Sequence, residues 1–160
     1  MCSSDLKSHF ERVLGYVETA KKEGATLLAG GGRADVGTGK GYFIQPTVFG
    51  NVTPDMTIAK EEIFGPVLAA IEFTDVEDAI AKANGTIYGL AAGIWTKDVK
   101  KAHYVASKLK AGTVWVNAYN VYDTAMSFGG YKQSGFGREL GAHALQHYTQ
   151  VKSVWIDLHR

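Results

Sequence analysis

The chain has 160 residues, of which 46% are hydrophobic and 21% charged, and its formal net charge is +1. This composition is typical of a globular protein, and it lacks the basic excess of a nucleic-acid-binding protein. No apolar run approaches the ~20 residues that a membrane helix requires, and the N-terminus lacks a secretory pattern. The single cysteine, Cys2, excludes an internal disulfide and agrees with a reducing compartment. We therefore expect a cytoplasmic protein that binds neither nucleic acid nor membrane.

The first third of the chain predicts a helix followed by extended segments. Apolar residues recur every three or four positions over residues 5–23, which predicts an amphipathic helix with an N-cap among residues 3–5. Gly24 is predicted to end this helix in a left-handed conformation, and a short buried strand over residues 25–29 follows. The glycine-rich residues 30–41 then predict an exposed connection. Residues 41–50 read as an extended segment, in which Pro46 indicates a strand edge or break.

The middle of the chain alternates strands and helices. Residues 66–73 predict a strand, and Thr74 with Glu77 forms a capping box for a helix that Asn84 and Gly85 stop. Residues 88–95 predict the next strand, residues 98–110 a helix capped by Gly112, and residues 113–117 the strand after it. This order predicts an α/β fold with right-handed βαβ crossovers and a mainly parallel sheet.

The end of the chain predicts one more helix and one more strand. Residues 138–148 are amphipathic at helical spacing, and residues 151–158 alternate as a strand does. A terminal strand without a hairpin neighbour needs a partner. We expect it to be an edge strand of the same sheet or to pair across a subunit boundary.

The glycine motifs do not match known phosphate loops. Around Gly39 and Lys40, the P-loop pattern would need a glycine at Ala34 and a hydroxyl at Gly41. The Gly-Phe-Gly run at residues 135–137 lacks the third glycine of a dinucleotide fingerprint and follows a loop instead of a strand. We interpret it as a tight turn.

No complete reaction centre emerges from the polar residues alone. Cys2 stands at the N-terminus, where nothing would orient it as a nucleophile. His143 and His147 are one helical turn apart but lack a third metal ligand, so we interpret them as a solvated helix face. The adjacent Glu61 and Glu62 would point ~100° apart on a helix, and as a bare pattern they are surface charges.

Four longer segments, in order and in register, resemble the NAD(P)-dependent aldehyde dehydrogenase superfamily. They are AKEEIFGPV at 59–67, YGLAAGIWTKD at 88–98, AGTVWVN at 111–117 and FGGYKQSGFGRELG at 128–141. The resemblance runs from about residue 9 to residue 158 and covers what looks like the C-terminal third of the family's chain. It implies a partial catalytic domain over residues 7–137 and a C-terminal helix with an oligomerisation strand over residues 138–160. Residues 1–6 match nothing in the family.

The resemblance also implies roles for individual residues. Glu62 matches a glutamate that accepts hydrogen bonds from the nicotinamide ribose, and Phe64 matches an aromatic residue beside the nicotinamide ring. Phe128 matches a wall of the aldehyde tunnel, and Tyr122 stands where the family often has a second aromatic wall. The implied cofactor is NAD, with NADP as an alternative, and no metal is implied. We expect Glu62 and Phe128 to face one cleft.

In proteins similar to this one, a cysteine attacks the aldehyde, the thiohemiacetal gives a hydride to the cofactor, and a glutamate activates the water that hydrolyses the thioester. These two residues belong to parts of the family's chain that are not present here, so no catalytic residue is assigned and the chain alone is expected to be inactive. Ser127 replaces a common proline, and Gln150 replaces a glutamate that some relatives link to the arginine matching Arg138. Two alternatives stay open: a free-standing, non-catalytic interaction module, and an acylating or semialdehyde-specific relative that uses CoA or NADP.

Overall fold

The computed structural model describes residues 6–37 and 40–159, which form two compact units, one up to Thr86 and the other from Ile87 onward. The helices and strands of these residues are α1 (Lys7–Lys22), β1 (Thr26–Ala29), β2 (Thr47–Gly50), α2 (Thr57–Lys60), β3 (Val67–Ala69), α3 (Val76–Asn84), β4 (Tyr88–Gly89), β5 (Ala91–Ile94), α4 (Val99–Lys108), β6 (Thr113–Val116), β7 (Tyr131–Lys132) and a 3-10 helix (Ala142–His147). None of the helices in this described part is long and apolar enough to cross a membrane.

The first helix forms as its apolar spacing predicts. It buries Phe10, Val13, Val17 and Ala20, which lie on one helical stripe and pack into a core that includes the fully buried Phe49 of β2. Gly24 follows the helix with a φ of 95°, as predicted for a left-handed helix end. The predicted N-cap residues lie outside the described residues. The cap position is held by Leu6, which makes no side-chain capping bond.

Strands β1, β2 and β3 form a three-stranded sheet with β2 in the centre. Strand β2 starts directly after Pro46 and pairs with β3 in parallel, Thr47 opposite Val67, and with β1 in an antiparallel register. Strand β1 was predicted to be buried, but all four of its residues are exposed. It is the edge strand of this sheet, paired on one side only, and its register shifts between Leu27 and Ala29.

Helix α3 starts one residue later than the predicted capping box. Asp75, not Thr74, is the N-cap, and its carboxylate accepts the backbone N–H of Asp78 at 2.9 Å. The carboxylate of Asp78 in turn accepts the backbone N–H of Thr74 at 2.9 Å. Aspartate is a better N-cap than threonine, which explains why the start moves to Asp75. The helix ends at Asn84, with Gly85 as its C-cap, as predicted.

The second unit contains one βαβ element. Strands β5 and β6 are parallel and α4 connects them, as predicted. The predicted strand over residues 88–95 is split at Leu90, because β4 turns to pair with β7 in an antiparallel register. Gly112 does not cap α4, whose C-cap is the extended Leu109. A Cβ at Gly112 would instead collide with the carbonyl oxygen of Gly129, so glycine is required here by a close approach of two backbones.

The α/β class is therefore confirmed, but the mainly parallel sheet is not. The described residues form three small sheets that contain two parallel and two antiparallel strand pairs. Parallel strands need a crossover connection. Strands β1 and β2 are joined by the glycine-rich loop, and β7 lies in a loop far along the chain from β4. Neither pair is joined by a single crossover helix, and both are antiparallel.

The C-terminal elements also differ from the prediction. In place of an α-helix over residues 138–148, only a 3-10 helix forms at Ala142–His147. Leu140 and Gly141 both have a φ of 58°, which breaks a helix at this point. No strand forms over residues 149–159. Because this segment pairs with no strand of the described chain, its apolar side chains are exposed, including Val151 at 101% and Trp155 at 95%.

Candidate functional site

The segment 61–65, directly after α2, buries one side chain and exposes those on either side of it. Ile63 is buried in the core of the first unit, while Glu62 is exposed and Phe64 is 74% exposed. Phe64 has a φ of 54°, a left-handed conformation that is unusual for an aromatic residue. This backbone points the two side chains singled out by the sequence away from the core.

Two polar contacts join the start of this segment to α1. A guanidinium nitrogen of Arg12 donates to the backbone carbonyl of Glu62 at 2.9 Å, and the hydroxyl of Tyr16 donates to the carboxylate of Glu61 at 2.8 Å. The hydrogen bond to Glu61 raises the pKa of the Tyr16 phenol above its usual value. Arg12 also lies over the Tyr16 ring, 5.8 Å from its centre. Glu61, which the sequence left as a surface charge, is therefore held by α1.

The end of the segment is attached to the same helix. The Nε2 of His9 is 2.8 Å from the backbone carbonyl of Phe64, and because a carbonyl only accepts, the ring donates through Nε2–H. The His9 and Phe64 rings also meet edge to face, with centroids 6.3 Å apart. A Cβ at Gly65 would lie 2.8 Å from a methyl group of Val13, so only glycine fits here without a shift.

The Glu62 carboxylate itself makes no hydrogen bond or ion pair with any side chain or backbone group of the described residues. Its backbone is fixed while its charged group is open to solvent. An ionised carboxylate accepts several hydrogen bonds, so this group suits a ligand with two neighbouring hydroxyls. The ring of Phe64, two residues on, is an exposed apolar surface on the same segment.

The two predicted wall residues belong to a cluster of aromatic rings in the second unit. The rings of Tyr122 and Phe128 meet edge to face with centroids 5.2 Å apart. Tyr122 also meets the buried Trp115 edge to face at 5.5 Å, and Trp115 contacts Tyr119 at 5.3 Å. The indole N–H of Trp115 donates to the carbonyl of Val121 at 2.8 Å, which ties the loop before Tyr122 to β6.

The backbone around Phe128 is held by the segment that follows it. Phe128 and Glu139 exchange two backbone hydrogen bonds of 2.7 Å in an isolated antiparallel bridge. The guanidinium of Arg138 donates to the carbonyls of Gly130 and Gly137 at 3.0 and 2.5 Å. Gly137 has a φ of 84°, and Gly135 has a φ of 114°. These left-handed values support the interpretation of residues 135–137 as a tight turn.

His143 and His147 make separate contacts within the described residues. The Nε2 of His147 accepts the backbone N–H of Arg138 at 3.2 Å, whereas the Nδ1 of His143 lies 3.5 Å from the hydroxyl of Ser127. Both histidines are exposed, on a 3-10 helix instead of the predicted α-helix. No cluster of three or more His, Cys, Asp or Glu side chains in residues 6–37 and 40–159 could hold a metal ion. Cys2 lies outside the described residues.

The structure thus brings the predicted residues together in two pairs. Glu62 and Phe64 share the anchored segment of the first unit, and Tyr122 and Phe128 share the aromatic cluster of the second. The residues of α1 that hold the first pair were not predicted from the sequence, and among them Arg12 donates to the Glu62 carbonyl. The sequence did contain a signal for these contacts, because residues 9, 12, 13 and 16 fall on one face of the predicted helix.

The aldehyde dehydrogenase family model matches residues 4–154 of the chain. The chain belongs to the aldehyde dehydrogenase family. It is 59% identical over 152 residues to a putative aldehyde dehydrogenase, DhaS, of Bacillus subtilis, a match that covers 95% of this chain and 30% of the relative. It is 54% identical over 150 residues to the human mitochondrial aldehyde dehydrogenase, covering 94% of this chain and 28% of the relative.

Solved structures of the aldehyde dehydrogenase family agree with the fold. An NAD+ complex of an aldehyde dehydrogenase from Bacillus cereus superposes with a TM-score of 0.91 at 59% identity, covering 96% of this chain and 30% of that one. An aldehyde dehydrogenase from Mycobacterium tuberculosis, also complexed with NAD+, superposes with a TM-score of 0.90 at 48% identity, covering 97% of this chain and 32% of that one. These complexes support NAD as the cofactor of this family. The chain spans about 30% of the length of the relatives it matches.

Proposed function

We propose that this chain is the C-terminal part of an NAD-dependent aldehyde dehydrogenase that oxidises an apolar aldehyde to its carboxylic acid. The observation that carries this proposal is the anchored segment 61–65, in which the Glu62 carboxylate and the Phe64 ring, two residues apart, are both exposed. NADP is the alternative cofactor. Residues 7–137 would contribute to the catalytic domain and residues 138–160 to subunit association, in a cytoplasmic enzyme.

Glu62 and Phe64 form the cofactor half of the proposed site. The carboxylate of Glu62 accepts hydrogen bonds from the two hydroxyls of the nicotinamide ribose, and the ring of Phe64 limits the positions of the nicotinamide. The bound cofactor supplies the hydride acceptor. Because hydride transfer depends on the distance and angle between donor and acceptor, fixing the ribose contributes directly to the rate.

Tyr122 and Phe128 form the substrate half. Two aromatic rings in edge-to-face contact give an apolar surface that favours a hydrophobic aldehyde over a charged one. The same apolar surface limits the access of bulk water to the acyl intermediate. We propose that, in the complete enzyme, the reactive cysteine and the general-base glutamate come from other parts of the polypeptide.

A hybrid enzyme tests this proposal. Residues 7–158 of this chain replace the matching segment of the Bacillus subtilis relative, and NADH formation is followed with an apolar aromatic aldehyde. The hybrid should be active, and Glu62→Gln should raise the KM for NAD+ about tenfold, since a hydrogen bond to a charged group contributes about 1.5–3 kcal/mol. Glu11→Gln, which changes a surface glutamate paired with Lys7, is the matched control and should leave this KM unchanged.

Two results would contradict the proposal. One is a hybrid carrying Glu62→Gln and Phe64→Ala that binds the cofactor and turns over as well as its parent. The other is NAD-dependent turnover by the 160-residue chain alone, because the proposed nucleophile is not part of it.

A second candidate function is a free-standing interaction module. The exposed apolar residues at 151–158 favour it, because an unpaired, alternating segment can dock on the edge of another sheet. In the enzyme, the same segment would pair across a subunit boundary. Activity of the hybrid separates the two functions, since an interaction module need not support catalysis when it is placed in the relative.

A further inference from the structure

One face of α1 contacts the segment 61–65 at every turn. The contacting residues are spaced by three, one and three positions, as one face of a helix requires. They bond or pack against four of the five residues of the segment, and they are His9, Arg12, Val13 and Tyr16. The fifth, Ile63, is buried in the core beneath.

The backbone of the segment has a conformation that needs such support. A left-handed φ in an aromatic residue costs on the order of 1 kcal/mol or more, and it persists only where the surroundings impose it. Phe64 has this conformation, and two carbonyls close to it, its own and that of Glu62 two residues earlier, are both bonded to α1. Val13 fills the space beside Gly65. The direction of the Glu62 and Phe64 side chains therefore depends on these contacts.

We propose that Arg12, assisted by His9 and Tyr16, is a positioning residue for the nicotinamide half of the cofactor site. This inference rests on the proposed function. Arg12 acts through the Glu62 carbonyl: without its bond, the segment relaxes from the left-handed conformation, and the Glu62 carboxylate and Phe64 ring turn away from their binding direction. No bond to the substrate is made or broken by Arg12.

A purely structural role would have different consequences. It would lower the stability of the whole first unit and weaken every ligand equally. A positioning role affects only the part of the cofactor that meets Glu62 and Phe64. ADP, which shares the adenosine half of NAD+ but has no nicotinamide ribose, separates the two roles.

The test uses the hybrid enzyme with Arg12→Met, Arg12→Lys and Tyr16→Phe. Lys21→Met is the matched control, because Lys21 lies on the same helix and its side chain pairs with the exposed Glu18, away from the segment 61–65. Two quantities are measured: the Kd values for NAD+ and ADP, and the amide exchange of residues 61–65 in the cofactor-free protein. Arg12→Met should weaken NAD+ binding about tenfold while ADP binding stays within about twofold, the loss expected when one charged hydrogen-bond donor is removed.

Amide exchange in residues 61–65 should increase by about the same factor, because the segment opens more easily without this bond. Arg12→Lys keeps a charged donor, so its NAD+ affinity and its amide exchange should lie between those of Arg12→Met and the parent. Lys21→Met should change neither the NAD+ affinity nor the exchange. Tyr16→Phe removes only a hydroxyl, so it should weaken NAD+ binding and speed exchange by smaller factors. It replaces Arg12→Met in the test if Arg12→Met does not fold.

Three results would overturn the inference: equal losses for NAD+ and ADP, no loss for either, or a loss for NAD+ without faster exchange, which would mean that Arg12 acts on the cofactor directly. Failure of the proposed function gives a different result, namely that Glu62→Gln leaves NAD+ binding unchanged while Arg12→Met still speeds exchange.

Discussion

The rings of Tyr122 and Phe128 meet edge to face, with centroids 5.2 Å apart and planes at 84°. Trp115 extends this arrangement, because it meets Tyr122 at 87° and is itself buried in β6. One of the two proposed substrate walls, Tyr122, therefore packs against a buried ring that belongs to the parallel β5–β6 pair. Rigid support of this kind is what a surface that selects among substrates needs.

Replacing Phe128 by alanine in the hybrid should raise the KM for an apolar aromatic aldehyde about five- to tenfold. The change removes one wall and also an edge-to-face contact that contributes about 0.5–1.5 kcal/mol beyond its buried area. The Kd for NAD+ should not change. Phe136→Ala is the matched control, since the Phe136 side chain is fully exposed. Equal effects of the two variants on the aldehyde KM would contradict a wall role for Phe128.

Two glycine substitutions should have opposite effects on stability. Gly112→Ala places a methyl group against the carbonyl of Gly129, so the second unit should be destabilised by about 2 kcal/mol or more. Gly15→Ala lies inside α1 with open space around the new methyl group, and it should stabilise the protein by about 0.5–1 kcal/mol. Urea unfolding followed by circular dichroism measures both. A neutral Gly112→Ala would contradict the close approach of the two backbones.

The parts of the fold that could be predicted from sequence are those set by local signals. The stripe of apolar residues from Phe10 to Ala20 predicted α1 because a helix of this length repeats its pattern several times. Strands β5 and β6 with α4 between them were predicted for the same reason. The strand at β1 was predicted, but the antiparallel pairings of β1 and β7 were not, because they depend on where distant loops bring the chain, and β7 itself has only two residues.

The candidate site divides in the same way. Glu62, Phe64, Tyr122 and Phe128 were proposed through the resemblance to the family, and their roles stay predictions. The contact of Arg12 with the Glu62 carbonyl spans 50 positions and ends on a backbone atom, which has no signature in the sequence. The predicted helix at residues 138–148 was wrong because amphipathic spacing does not reveal the left-handed conformation of Leu140.

Two residues at the start of α3, Asp75 and Thr74, are candidates for its N-cap, and substitutions can separate them. Asp75→Ala should lower the free energy of unfolding by about 1 kcal/mol, because the backbone N–H of Asp78 loses its acceptor. Thr74→Ala should cost less, since its hydroxyl makes only a long contact of 3.3 Å with Asp78. Denaturant unfolding of the two variants under the same conditions measures the difference. A larger loss for Thr74→Ala would restore the capping box that the sequence predicts.

Acid should weaken the same end of α3. The hydrogen bond from Lys82, and next the backbone N–H of Thr74, hold the pKa of Asp78 below its usual value of 3.8. A lowered pKa means that the carboxylate stabilises the folded state above pH 3.8 and that this contribution is lost as the pH falls through the folded pKa. Asp78→Asn should therefore be less stable than the parent near neutral pH, and the difference should vanish in strong acid. A difference that persists in acid would mean that the charge of Asp78 is not the cause.

The exposed tail should make the isolated chain self-associate. Val154, Trp155 and Ile156 are 72%, 95% and 72% exposed, and the segment has no strand partner among the described residues. Unpaired, alternating segments of this kind add to sheet edges. Sedimentation velocity of the 160-residue chain should show a weight-average mass that rises with concentration, and the pair Val154→Lys with Ile156→Lys should reduce this rise. Ser153→Lys with Gln146→Lys adds the same charge at polar positions and should leave association nearly unchanged. If both pairs suppress it equally, charge repulsion and not loss of the apolar face would be responsible.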